Sequence, residues 1–121
     1  MRPGFAAKEW PVLVLYDGSK GSQQALEIAI DMAQPGITLN VLILGNTPEE
    51  ALLMEQELSS TIALPDTVIE YHHLPRHDGK MLARYIRMAD SGLLVLSDRM
   101  RLPIETVHSL INEIDYPVLL V

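Results

Sequence analysis

Five short apolar runs, at 12–16, 38–44, 67–74, 93–96 and 118–121, alternate along this chain with segments whose apolar residues recur at helical spacing. The alternation constrains the fold more than any other feature. A continuous run such as VLVLY fits a strand buried on both faces, and strands alternating with helices through short connections build a parallel sheet covered on both sides. The helical segments carry Ala25, Ile28, Ala29, Met32 and Ala33; Leu52, Leu58 and Ile62; Leu82, Tyr85, Ile86 and Ala89; and Ile104, Val107, Leu110, Ile111 and Ile114. Pro35-Gly36, Pro65-Asp66, Asp90-Ser91-Gly92 and Tyr116-Pro117 punctuate them. Right-handed crossovers leave three-layer α/β/α sandwiches as the permitted topologies. The expectation is one α/β domain over residues 1–121, with 1–11 an irregular lead-in broken by Pro3, Gly4 and Pro11.

Helix starts are legible. Ser19 and Ser22 open the first helix, and Asp78 caps the third. Thr47 as N-cap, Pro48 at the first helical position and Glu50 form a capping box. Pro103 starts the last helix.

Composition removes several function classes. The chain has no cysteine, which excludes disulfides, thiol catalysis and cysteine-ligated zinc. No apolar run approaches the ~20 residues of a membrane span, and MRPGFAAKEW has no secretory apolar core, so a cytoplasmic location without membrane association is expected. The formal charge of -7 argues against nucleic-acid binding, which relies on Lys and Arg at phosphates. Glu49, Glu50, Glu55 and Glu57 concentrate acidity in one segment, whereas Arg76, Lys80, Arg84, Arg87, Arg99 and Arg101 lie later. The later group offers a small basic surface, and the more ordinary reading of both groups is solvated helix faces.

The first strand runs into Asp17-Gly18-Ser19. In a parallel sheet this crossing sits at the carboxyl edge, where ligands collect. The same three residues also suit a turn, since Gly permits positive φ and Asp and Ser bond nearby backbone. Asp17 therefore faces either a ligand or a turn.

The chain resembles the universal stress protein family over nearly its whole length. VLVLYDGSKGSQQALEIAIDMA (12–33) is similar to that family's first strand, Asp-Gly-Ser turn and first helix. VIEYHHLPRHDGKMLARYIRMADSGLLVLSDR (68–99) follows its third strand, helix and fourth strand, and DYPVLLV its terminal strand. The resemblance implies an open five-stranded sheet of order 3-2-1-4-5, the Rossmann-like adenine nucleotide alpha hydrolase-like fold. It also implies a homodimer through the last strand, Val118, Leu119, Leu120 and Val121. An apolar edge of that kind needs covering on physical grounds as well.

Nucleotide-binding members of the family pair an acid after the first strand and backbone at the end of the second with a glycine-rich loop after the fourth. The first half-site is matched here by Asp17 and the backbone of Leu42 to Leu44. The second is not: LSDRMRLPIETVHSLINEI (96–114) contains no glycine. Ser97 and Met100 fall where the first two glycines would stand, the segment is several residues short, and the expected Gly-Ser pair aligns near Ile104 and Glu105. Glu105 in the first helical turn takes the positive end of the dipole and repels a triphosphate.

Arg99 and Arg101, beside Asp98, suit clamping of an anion, or simple pairing with Asp98 or Glu105 in a solvated loop. His72 and His73 are adjacent in a strand and point to opposite faces, so a metal site would need His77 and Asp78; no metal is expected. His108 belongs on the surface. Ser19 and Ser22 read as caps, no Gly-x-Ser-x-Gly elbow is present, and a receiver-domain reading fails because the third strand ends in His72-His73-Leu74 and the fifth carries no Lys. The expectation is a regulatory or interaction module, not an enzyme, that does not bind ATP in the usual way and has no cofactor; an unidentified protein is the partner besides a second copy. The alternative is a module for AMP, another adenine nucleotide or an anion, using Asp17, Gly18, Leu44, Ser97, Arg99 and Arg101.

Overall fold

The computed structural model describes residues 11–33, 37–62, 68–75, 82, 84–86, 92–100, 104–114 and 117–121. In chain order these form β1 (Val12–Tyr16), α1 (Lys20–Met32), β2 (Leu39–Gly45), α2 (Pro48–Thr61) and β3 (Ile69–Pro75). Leu82 and residues 84–86 are helical. Then follow β4 (Leu93–Leu96), α3 (Ile104–Glu113) and β5 (Val118–Leu120). The strands make one parallel sheet of order β3-β2-β1-β4-β5, the order the resemblance implies.

Strand periodicity divides the core between the two faces. Val12, Val14 and Tyr16 of β1 join Leu39, Val41 and Ile43 of β2 and Val95 of β4 under α1 and α2. Leu13, Leu15, Leu42, Leu44, Leu94 and Leu96 face the other way, under Leu82, Ile86 and α3. Burying each such side chain contributes roughly 1.5–3 kcal/mol, and β1, buried at every position, anchors both layers. The three-layer architecture stands as the alternation requires.

Local chemistry explains the helix ends. Ser19 caps α1, its hydroxyl accepting the Ser22 amide at 3.2 Å. Thr47 caps α2 by accepting the Glu50 amide at 3.1 Å, with Pro48 in the first turn. The reciprocal arm differs from the expected capping box: the Glu50 carboxylate accepts the amide of Asn46, one residue before the cap, at 3.0 Å. Val107, Leu110 and Ile114 of the last helix are buried, as their spacing predicts.

The stripe of α2 needs correction. Its buried residues are Ala51 and Leu58, with Met54 and Ile62 half-buried, whereas Leu52 is 49% exposed. Leu52 and Leu58 are six residues apart, about 240° around the helix, so they cannot share a face. Met32 is likewise 40% exposed at the end of α1, where Leu26 is buried. The proposed Asp78 and Pro103 helix starts, and Ala89, lie outside the described residues.

Candidate functional site

The order β3-β2-β1-β4-β5 places the topological switch between β1 and β4, and the crevice for a ligand lies beyond their carboxyl ends. Asp17 leaves β1 there, Ser97 leaves β4, and the first turn of α1 stands between them.

Asp17 is completely buried. Its Oδ1 accepts the Ser19 amide at 3.0 Å, closing an Asx turn over Gly18, whose φ of 85° lies in the left-handed region. The Asp17 amide donates to the Ser22 hydroxyl at 3.3 Å, and that hydroxyl donates to the Ser19 carbonyl at 2.9 Å. Asp17 and Ser22 thus brace the start of α1 from inside, where the helix dipole stabilises the carboxylate. Met54 of α2 covers Gly18, its methyl 3.8 Å from where a Cβ would stand.

Ser97 is also completely buried, and its hydroxyl accepts the Arg99 amide at 3.0 Å. The resulting turn presses on α1. A Cβ on Gly21 would meet Ser97 Oγ at 2.5 Å and the Arg99 carbonyl group at 2.9 Å. Only a glycine permits that approach. Met100, where the family pattern expects a second glycine, is buried in the core with Leu13, Leu15, Leu96 and Val107. The exposed Arg99 guanidinium donates to Gln24 of α1, in place of the expected pairing with Asp98 or Glu105. Arg101 lies outside the described residues.

Leu44 is buried on the opposite side of β2 from α2. Beyond it, Gly45 lies against α2, with a virtual Cβ 2.9 Å from the Ala51 nitrogen. The expected residues therefore fall into two arrangements. Asp17, Gly18, Ser97 and Arg99 converge on the start of α1, whereas the Leu44 side chain is core. The edge residues Val118, Leu119 and Val121 are half-buried and Leu120 is exposed; β5 hydrogen-bonds to β4 alone among the described strands.

The histidines separate as strand geometry predicts. His72 Nε2 is 3.2 Å from Asn40 Oδ1 on one face, with its ring edge-on to Tyr85. His73 Nε2 is 2.6 Å from Glu55 Oε1 on the other. Among the described residues no group of three or more potential metal ligands converges; His77 and Asp78 lie outside them. His108 is exposed.

Sequence reasoning placed Met100 only where a family glycine would stand, and passed over Gly21. A glycine within a helix's first turn signals a close approach, and a lone apolar residue inside DRMR signals an inward side chain. It also passed over Tyr16, buried at the end of β1 beneath α1 and α2. Burial, and then the charges of Glu57 and Asp17, raise the Tyr16 hydroxyl above its ordinary value, against the hydrogen bond from Gln23 that lowers it. The phenol is neutral at physiological pH.

A buried first-strand acid beneath a capped helix, at the switch point of an open parallel sheet, defines a Rossmann-like α/β protein. The fold is that of universal stress proteins. A universal stress protein from Archaeoglobus fulgidus superposes with a TM-score of 0.68 at 18% identity, over 93% of this chain and 98% of that one. A universal stress protein in complex with cAMP gives 0.67 at 19% identity, over 93% and 97%. No family model and no curated protein matches the sequence. No helix among the described residues is long and apolar enough to cross a membrane.

Proposed function

We propose that this chain is a universal-stress-protein-like regulatory or interaction module of the cytoplasm that does not bind ATP in the usual way and catalyses no reaction. The observation that carries the reading is the packing of the loop after β4. Ser97 and the Arg99 backbone rest on Gly21, and Met100 turns into the core, so the chain itself fills space beside the α1 N-terminus. A phosphate cradle needs backbone amides free to point at the ligand; here the Arg99 amide is taken by the Ser97 hydroxyl. Output then passes through surfaces, and the apolar β5 edge suits pairing with a second copy.

Two measurements test this. Calorimetric titration with ATP should give no binding at millimolar nucleotide, and micromolar binding would overturn the first half of the reading. Sedimentation at micromolar protein should give a dimer that Leu120→Asp dissociates; a wild-type monomer would remove the second half.

A second reading has one supporting observation, the exposed Arg99 guanidinium beside α1, together with the fold likeness to a protein crystallised with cAMP. On that reading AMP or another adenine nucleotide binds at the Asp17 turn, with Arg99 and Arg101 on its phosphate. AMP binding lost in both Arg99→Ala and Asp17→Ala would establish it over the first.

A further inference from the structure

A cleft of about 510 Å³ opens on the other side of α1 from the Ser97 loop, between α1 and α2. Its floor is apolar and buried: Leu26 of α1, Leu58 of α2 and the ring of Tyr16 beneath them. Ile30, Met54 and Ile62, all half-buried, form the walls. Along either helix the lining runs over eight residues, from Gln23 to Ile30 and from Met54 to Thr61, or roughly 10 Å. Volume and length match a drug-sized organic molecule, and an apolar body with a few fixed polar groups is the usual constitution of such a site.

The charge of the cleft selects the ligand. Glu27 on one rim and Glu57 on the other are exposed, and among the described residues no Lys or Arg lines the space. Among the described residues neither carboxylate has an ion-pair or side-chain hydrogen-bond partner. The field of Glu57 reaches the floor, where it helps hold the Tyr16 phenol protonated. An anion entering here meets two uncompensated carboxylates, and a neutral apolar molecule leaves them idle. A cation with an apolar body uses both.

We propose that the α1–α2 cleft is a binding site for a small organic cation, its apolar body seated over Tyr16, Leu26 and Leu58 and its charge held between Glu27 and Glu57. The cleft meets the Asp17 turn at Gly18, which lines one end of it, and lies on the opposite side of α1 from Ser97.

The test uses the full chain and two aromatic dyes of comparable size, cationic crystal violet and anionic anilinonaphthalene sulfonate. Crystal violet should bind with one-to-one stoichiometry at low salt and ATP should not displace it. Glu27→Gln and Glu57→Gln should each weaken it about threefold and the double variant about tenfold, the scale of partly screened charge pairs. The anionic dye should bind the wild type more weakly than crystal violet and gain affinity in the double variant. Ile30→Arg, which sets a fixed cation in the cleft wall, should abolish crystal violet binding while circular dichroism stays unchanged. Equal affinity for the two dyes, or crystal violet binding indifferent to the double variant and to Ile30→Arg, overturns the proposal. Displacement of the dye by a basic amphipathic helical peptide that binds at least tenfold more tightly also overturns it, because the cleft is then a peptide groove.

Discussion

Gly21 and Ser97 touch so closely that a Cβ on the glycine would lie 2.5 Å from the serine Oγ. Two elements far apart in sequence, the first turn of α1 and the loop leaving β4, are locked at this point. Gly21→Ala adds helix propensity of about 1 kcal/mol, but it also drives a methyl against the Arg99 backbone, 2.9 Å away, which cannot rotate aside. Overpacking of this kind costs about 1–3 kcal/mol, so net destabilisation is expected. Urea denaturation of the variant would show it as a lower midpoint with an unchanged slope.

Gly18 tests a different term. A Cβ there meets only Met54 atoms at 3.8 and 3.9 Å, ordinary contact distances, so the cost of Gly18→Ala is conformational. Its φ of 85° penalises an L-residue by about 1–2 kcal/mol, and asparagine tolerates that region better. Thermal denaturation should rank wild type above Gly18→Asn, and Gly18→Asn above Gly18→Ala.

The contrast between these glycines marks how far the sequence could be read. Gly18 sits in an Asp-Gly-Ser turn whose local chemistry announces positive φ. Likewise, the unbroken apolar runs from Val12 and Leu93 disclose strands buried on both faces. Gly21 owes its identity to a loop 76 residues later, and no local pattern reports a long-range contact. The fate of Asp17 was open for the same reason. Its turn is local, but its complete burial depends on how the surrounding elements pack. Leu52 failed through period alone, since apolar identity without 3.6-residue spacing does not establish a face. The α1–α2 cleft had no signature at all, because it is made where two separately amphipathic helices stop short of each other.

Ser22 is the hinge of the Asp17 turn. Its buried hydroxyl is the acceptor for the Asp17 amide, while the Ser19 carbonyl it donates to also accepts the Gln23 amide at 3.0 Å. Ser22→Ala therefore orphans one buried donor and leaves the carbonyl satisfied. A buried unsatisfied amide costs about 1–3 kcal/mol, compared with about 1 kcal/mol for losing the exposed Thr47 cap. In equilibrium denaturation Ser22→Ala should fall further than Thr47→Ala; the reverse order would show that Asp17 finds water in its place.

Alkaline pH supplies the last prediction. Burial raises the phenol of Tyr16, with Glu57 and Asp17 adding to it; burial and then Glu55 raise Tyr71; burial raises Tyr85. Each titrates near 10 in the unfolded chain. Above that pH the unfolded state has released phenolic protons that the folded state still holds, so stability falls as pH rises. Below about pH 10 both states are protonated and these groups impose no pH dependence. The decline should therefore begin near pH 10 and continue through the higher folded values. Lysines titrate in the same window, which makes the difference between proteins the useful readout. Tyr16→Phe removes one contribution, so its stability should decline less steeply than wild type between pH 9.5 and 11, whatever its offset at pH 8 from the lost Gln23 hydrogen bond. Parallel curves would mean that the Tyr16 phenolate is tolerated in the fold, and that Glu57 does not face the cleft floor as the structure has it.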